Sequence, residues 1–94
     1  MVTILSDKEN QAENICQQGI DLCETDKYSE AHKLFQKAYD MYPTSPKINS
    51  WLGYTTAIVE NKVGTGMQFC KKAIDSDVPD ALFYRNIGKL FLLQ

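Results

Sequence analysis

Four residues of the sequence have side chains that bind metals or act as nucleophiles: Cys16, Cys23, Cys70 and His32. By type they suit a four-ligand zinc site, but their spacing matches no compact C-x2-C or H-x3-H pattern. On one helix Cys16 and Cys23 would lie about 10 Å apart, whereas a disulfide needs Cα atoms within ~7 Å of each other. The spacing therefore predicts small apolar cysteines in a helical core, with no metal and no cofactor.

Other arrangements that support chemistry are also missing from the sequence. Gly64 and Gly66 lack the G-x4-G-K-[ST] order of a phosphate-binding loop, so we interpret them as part of a turn. His32 is predicted to lie on the outer side of its helix, with no nucleophile at a suitable spacing. No set of side chains suits acid–base catalysis. We therefore expect a protein that is not an enzyme.

The composition is typical of one small folded domain. Of the 94 residues, 44% are hydrophobic, which is too many for a disordered tail. The formal net charge is -2 and no basic stripe is visible, so we expect no nucleic-acid partner. No apolar run approaches the ~20 residues that span a bilayer, and the first residues lack the features of a signal peptide. Together with an odd number of cysteines, these features predict no membrane partner and a cytoplasmic location.

The first half of the chain carries start and stop signals for two helices. Ser6 followed three residues later by Glu9 fits a capping box, which predicts the start of the first helix. Apolar residues then recur with the helical period until a polar break. Thr25 or Asp26 is predicted to cap the second helix, and Pro43 ends it.

The second half carries signals for three more helices. Ser45 followed by Pro46 predicts an N-cap and the first residue of the third helix. A turn is predicted at 61–64, a fourth helix over about 65–75, a break at 77–79 and a fifth helix from about Asp80 onward. No segment alternates with period two, so we predict an all-α domain of five helices whose short connections favour antiparallel neighbours.

Three glycines recur inside the first, third and fifth helices. Gly19, Gly53 and Gly88 are 34 and then 35 residues apart. A glycine inside a helix costs ~1 kcal/mol relative to alanine, so it is expected where paired helices approach closely. We expect leucine at Gly53 to clash with the fourth helix and alanine to cost little. A period near 34 with two helices per unit is typical of helical-hairpin arrays, and we assign the extra residue to the 61–64 turn.

Two stretches of the sequence resemble the motifs of the tetratricopeptide repeat (TPR) family. They are Ala31-x3-Phe35-x2-Ala38-x4-Pro43 and Tyr84-x2-Ile87-Gly88-x2-Phe91. The resemblance implies a TPR-like helical-hairpin solenoid, in which five antiparallel helices form a right-handed superhelix. It divides the single domain of 1–94 into a first repeat over about 12–45, a second over about 46–80 and a half repeat over 81–94.

The resemblance also implies a concave groove lined by the first helix of each unit. The residues in that register are Glu13, Cys16, Gln17, Ile20, Cys23 and Glu24 of the first helix, Lys47, Ser50, Tyr54, Ala57 and Ile58 of the third, and Leu82, Arg85, Lys89, Leu92 and Leu93 of the fifth. We therefore predict a non-catalytic protein–protein interaction module that binds a peptide or a partner helix in this groove. The alternative is that several of these residues belong to the core. The sites at which some family members clamp the tails of chaperones hold unsuitable residues here, so that activity is not predicted.

The fifth helix is apolar on nearly every side, and no helix follows it to complete a hairpin. Its predicted self-association residues are Phe83, Leu90, Phe91 and Leu93. Apolar patches of a few hundred Å² usually mark an interface, so we expect a homodimer. The alternative functions are therefore an assembly module that pairs through this helix, or a fragment of a longer array.

Overall fold

The computed structural model describes residues 5–76 and 80–93, and five α-helices account for most of them. The helices are α1 (Asp7–Glu24), α2 (Tyr28–Met41), α3 (Pro46–Val59), α4 (Val63–Ile74) and α5 (Ala81–Phe91). The all-α prediction is confirmed for these residues, which contain no strand. The predicted break at 77–79 and the two ends of the predicted domain lie outside the described residues. None of the helices described is long and apolar enough to cross a membrane.

Two helix starts follow from serine side chains, as predicted. The Ser6 hydroxyl accepts a hydrogen bond from the Glu9 amide, and the Glu9 carboxylate accepts one from the Ser6 amide. Ser45 caps α3 by accepting from the Ile48 amide, and Pro46 is the first helical residue. These local bonds satisfy amides that lack partners inside the helix, which explains why the sequence fixes both starts.

The start of α2 was predicted incorrectly. Neither Thr25 nor Asp26 caps it: the N-cap is Lys27, which makes no side-chain capping bond. Thr25 instead ends α1, where its hydroxyl donates to the carbonyl oxygen of Leu22. Asp26 adopts a left-handed backbone conformation with φ of 61°, which an aspartate tolerates better than most residues.

The same turn recurs between α3 and α4. Asn61 has φ of 57°, and Lys62 follows it as an N-cap without a side-chain bond, as Lys27 follows Asp26. The two left-handed residues are 35 apart. The extra residue of the second unit therefore lies before Asn61, within or just after α3, and not in the turn. The fourth helix correspondingly begins at Val63, two residues earlier than predicted, and includes Gly64.

The core lies between consecutive helices, with α3 at its centre. Helix α1 packs on α2, α3 packs on α4, and α3 also contacts α1, α2 and α5. Ten consecutive residues of α3, from 48 to 57, are buried. Helices α2 and α4 bury equivalent small–large–small triplets, namely Ala31, Phe35 and Ala38 in α2 and Gly66, Cys70 and Ala73 in α4. We call α1–α2 the first helix pair and α3–α4 the second.

The recurring glycines have three different surroundings. A methyl group on Gly53 would overlap the carbonyl oxygen of Gly66, and one on Gly66 would overlap that of Gly53. Gly53 is thus a close-packing glycine, as predicted. A methyl group on Gly19 would lie 2.6 Å from the ring of Phe35. At Gly88 the prediction was wrong, because a methyl group there would meet nothing within 4 Å.

Candidate functional site

The best candidate for a binding site is a cavity of about 350 Å³ on one side of α1, α3 and α5. We call it the groove cavity. Seven of its lining residues belong to the predicted groove register, and five of them are Ile20, Cys23, Tyr54, Arg85 and Lys89. Glu24 and Leu82, which share that register, also line it, together with Tyr28 and Trp51. The cavity therefore gathers side chains from both helix pairs and from α5.

Aromatic rings form the floor of the groove cavity. The rings of Tyr28 and Tyr54 meet edge to face with centroids 6.1 Å apart, and those of Trp51 and Tyr54 do so at 6.2 Å. Phe35 stacks on Trp51 from the core side at 6.1 Å. Edge-to-face and stacked rings are favourable arrangements that restrict one another's motion. The floor is therefore apolar and continuous with the core, and its rings Trp51 and Tyr54 are only 5% and 8% exposed.

Two cations stand at the rim of the groove cavity. The Lys89 ammonium lies 5.2 Å from the centroid of the Tyr54 ring, and Arg85 lies one helical turn earlier on α5. Neither forms an ion pair with another residue in the described ranges. Burial raises the pKa of Tyr28 to about 12, and its contacts with Tyr54 and Asp26 act in the same direction. The Tyr28 phenol therefore stays neutral, and the lining carries two cations against one carboxylate, Glu24, which leaves it with an excess of positive charge.

The cysteines are free and buried, as expected for core residues. Burial raises the pKa of the Cys16 and Cys70 thiols to about 12, and that of Cys23 to about 11. Protonated thiols are poor nucleophiles and poor metal ligands. Within the part of the chain that the structure describes, no group of three or more histidine, cysteine or acidic side chains is placed to hold a metal ion.

Several predicted groove residues lie elsewhere. Cys16 and Ser50 are fully buried, and Ala57 packs beside Gly66 of α4, so their side chains cannot contact a bound peptide. Ile58 lies beside the turn at the start of α2. The Lys47 ammonium reaches Gln17 on α1 at 3.3 Å. The physical reason is that α3 is covered on several sides, so the family register assigns too many of its residues to the surface.

The predicted self-association set is also divided. Phe83 and Leu90 are only 3% and 0% exposed, because they form the face of α5 that packs on the second helix pair. They offer no surface to a second chain, and their inclusion was wrong. Phe91 and Leu93 are 56% and 52% exposed.

His32 is not on the outer side of α2, as predicted, but is 5% exposed. Its Nδ1 lies 2.8 Å from the Thr55 hydroxyl, and its Nε2 lies 2.7 Å from a carboxylate oxygen of Glu60. This chain of carboxylate, imidazole and hydroxyl resembles a catalytic arrangement. However, Thr55 is fully buried beneath α2, where no substrate can reach its oxygen. The three side chains therefore tie the first helix pair to the second.

Both protonation states of the imidazole fit this network. The Glu60 carboxylate accepts from Nε2–H in either state, and its pKa is lowered chiefly by the hydrogen bond with His32. In the neutral ring Nδ1 accepts from the Thr55 hydroxyl. In the charged ring Nδ1 donates, and the hydroxyl can turn to the carbonyl oxygen of Trp51 at 3.2 Å. No polar atom of this network loses its partner in either state.

Tyr28 and Trp51 are the lining residues that the sequence-based groove set lacks. Trp51 lies one turn before Tyr54 on the same helix, which is the signal that places both rings together. Tyr28 begins α2 and reaches the cavity from outside the register of the first helices.

A second cavity of about 400 Å³ lies between α2, α3 and α4. It also has an aromatic pair, Tyr39 and Phe69, with centroids 5.5 Å apart. Two of its three charged residues are engaged, since Glu60 pairs with His32 and with Lys62, and the third, Asp40, is an anion and not a cation. We therefore regard the groove cavity, with its unpaired cations, as the better candidate.

Comparisons of the chain with protein-family models, with curated proteins and with solved structures find no match. The geometry of the groove cavity is therefore the main support for a function.

Proposed function

We propose that this chain is a non-catalytic protein–protein interaction module that binds a peptide in the groove cavity. The carrying observation is that both helix pairs and α5 contribute side chains to one cavity with an aromatic floor, whose rim holds the two cations Arg85 and Lys89 and one carboxylate, Glu24. Such a surface suits a chain segment that supplies both apolar and anionic groups.

We further propose that the five helices form a TPR-like array of antiparallel hairpins with a right-handed twist. Three repeated features support it: the glycine register, the left-handed residues Asp26 and Asn61, and the equivalent buried triplets of α2 and α4. Each feature recurs after 34 or 35 residues, which is the expected length of a helical-hairpin unit. The buried, reduced cysteines support an intracellular, cytoplasmic site of action.

The chemistry of the groove cavity indicates the class of peptide. Ile20 and Tyr28, both half-buried, offer apolar surface to an aromatic or aliphatic side chain, above the buried rings of Trp51 and Tyr54. Arg85 and Lys89, which are one turn apart, offer charge-assisted hydrogen bonds to a carboxylate. We therefore propose a peptide in which an acidic residue lies close to a large apolar residue.

Selection from a random peptide library, followed by titration with the selected peptides, tests this function. Trp51 is the only tryptophan of the chain, so its fluorescence reports directly on occupation of the groove cavity. We expect Lys89→Glu and Ile20→Glu to weaken binding by about tenfold or more, equivalent to ~1.4 kcal/mol. Lys37→Glu, an equivalent charge reversal on the exposed side of α2, is the matched control. Unchanged affinity in both groove variants would exclude this site.

A further inference from the structure

One face of α5 is apolar and exposed along its whole length. It consists of Ala81, Tyr84, Gly88 and Phe91, all exposed, and we call it the α5 seam. Tyr84 and Phe91 are 58% and 56% exposed, although both are large aromatic residues. The opposite face of the helix, which includes Phe83 and Leu90, is buried in the core. The seam is thus separate from the packing of the chain itself.

The spacing of the α5 seam is that of a helix–helix contact. Its residues follow one another at intervals of three, four and three, which is the pattern of core positions in a coiled coil. A strand would need a period of two, and an extended peptide would need no such stripe. The face therefore fits a helical partner.

The order of residue sizes in the α5 seam identifies that partner. Asn86 is the midpoint of the α5 seam. The small Ala81 lies five residues before it and the large Phe91 five residues after it. The large Tyr84 lies two residues before it and the small Gly88 two residues after it. When two copies of α5 run antiparallel about the level of Asn86, each aromatic residue faces a small residue of the other copy. We propose that the α5 seam pairs with the same seam of a second copy of this chain about a two-fold axis.

The chain contains an internal precedent for this contact. The ring of Phe35 on α2 fills the space beside Gly19 on α1, where even a methyl group would come within 2.6 Å. On α3 the backbone of α4 fills the space beside Gly53. Gly88 occupies the same register, and no atom of the described residues lies within 4 Å of a methyl group placed on it. In the proposed pair, Tyr84 from the second copy fills that space as Phe35 fills the first.

The charge of Arg85 gives the pairing a measurable salt dependence, and the position of the α5 seam separates the pairing from the groove cavity. Arg85 flanks the α5 seam, and α5 contains no acidic residue, so the two-fold axis brings two like charges to the same side. Added salt screens this repulsion, so the association strengthens as ionic strength rises. The groove cavity is lined by other α5 residues, Leu82, Arg85 and Lys89, and the inference does not depend on peptide binding there.

Sedimentation velocity from low to high micromolar concentration tests the proposal. We expect the mass to rise from 10.7 kDa towards twice that value, and to do so at lower concentration in high salt. Gly88→Tyr fills the open space without touching the monomer core, and is expected to weaken association by about tenfold or more. Tyr84→Ala combined with Gly88→Tyr exchanges the large and small positions and is expected to restore association. Gly64→Tyr, at another open helical glycine, is the control that leaves association unchanged.

Three results would overturn the proposal. The first is a wild-type chain whose mass stays at 10.7 kDa at every concentration, which would mean that the α5 seam binds a helix other than a second copy of α5. The second is association that Gly88→Tyr does not weaken, or that the exchanged variant does not restore. The third is a mass that continues to rise beyond two chains, since a two-fold contact closes on itself. Circular dichroism of each variant verifies that the helices are intact.

Discussion

Gly53 in the second helix pair and Gly88 in α5 hold the same position of the repeat but have opposite surroundings. Gly53 on α3 lies against the backbone of α4, whereas Gly88 on α5 lies against open space. Each glycine follows an aliphatic residue, Leu52 or Ile87, at the same register, so the periodic glycine marks a position within the repeat and does not by itself predict contact. Contact depends on whether another helix covers that position. This difference predicts opposite effects for the same substitution at the two sites.

The largest effect is expected at Gly53. The sequence alone predicts that alanine there would cost little, because alanine is the better helix former. The carbonyl of Gly66 reverses that expectation, since neither backbone can move aside without disturbing the core. We expect Gly53→Ala to lower the free energy of unfolding by roughly 1–3 kcal/mol, and Gly53→Leu by more. Urea unfolding measures both, with Gly64→Ala as the control, and wild-type stability in Gly53→Leu would contradict the close approach.

A smaller effect on stability is expected from the buried polar contacts, which are stronger between the two helix pairs than between α3 and α5. His32→Leu leaves Thr55 and the Glu60 carboxylate without their shared partner, and we expect a loss of about 2 kcal/mol. Asn86 on α5 donates one bond to Ser50, but its own buried carbonyl oxygen has no partner. Asn86→Leu removes that unsatisfied atom and is expected to change stability by less than about 1 kcal/mol. Equal losses in the two variants would show that α5 is held as tightly as the helix pairs.

Alkaline pH is expected to weaken the helix pairs, which contain all of the cysteines. The pKa of the Cys16 and Cys70 thiols is raised in the folded chain from the ordinary value of 9.0 to about 12. Between these values the unfolded chain binds fewer protons, so stability is full below pH 9 and falls as the pH rises through this window. At pH 10 we expect a loss of about 1 kcal/mol per thiol. Urea unfolding at pH 7 and pH 10 measures it, and the same loss in a Cys16→Ala, Cys70→Ala chain would assign it to other groups.

The smallest effect, and one of opposite sign, is expected at Gly88. Gly88→Ala adds a methyl group to open space and replaces a poor helix former with the best one. We expect the free energy of unfolding to rise by about 0.5–1 kcal/mol, measured at low protein concentration where the monomer dominates. A decrease like that at Gly53 would mean that this side of α5 is covered in the isolated chain.

Local signals in the sequence predicted most of the helices but few of the contacts between them. Ser6 and Ser45 mark helix starts because their bonds lie within four residues, so neighbouring residues decide them. The starts of α2 and α4 follow Lys27 and Lys62, which have no capping side chain, because tertiary packing of both helices replaces the cap.

The site was predicted in part for the same reason. Ile20, Tyr54 and Lys89 line the groove cavity as their register indicated. His32 was misplaced because its partners, Thr55 and Glu60, are 23 and 28 residues away along the chain. A buried histidine looks like a surface one in the sequence when the groups that satisfy it are distant.

Ser45 has a consequence for how the chain unfolds. Its hydroxyl accepts from the Ile48 amide to cap α3 and donates to the Glu13 carboxylate on α1, at 2.6 Å. The bond to Glu13 couples this cap to the docking of α1, because the same hydroxyl serves both bonds, although its lone pair can still accept from Ile48 when the bond to Glu13 is lost. Fraying of α1 is therefore expected to weaken the first turn of α3, so that amide hydrogens in that turn exchange faster when α1 opens. A single buried hydroxyl thus adds one hydrogen bond that couples the unfolding of the first helix pair to that of the second.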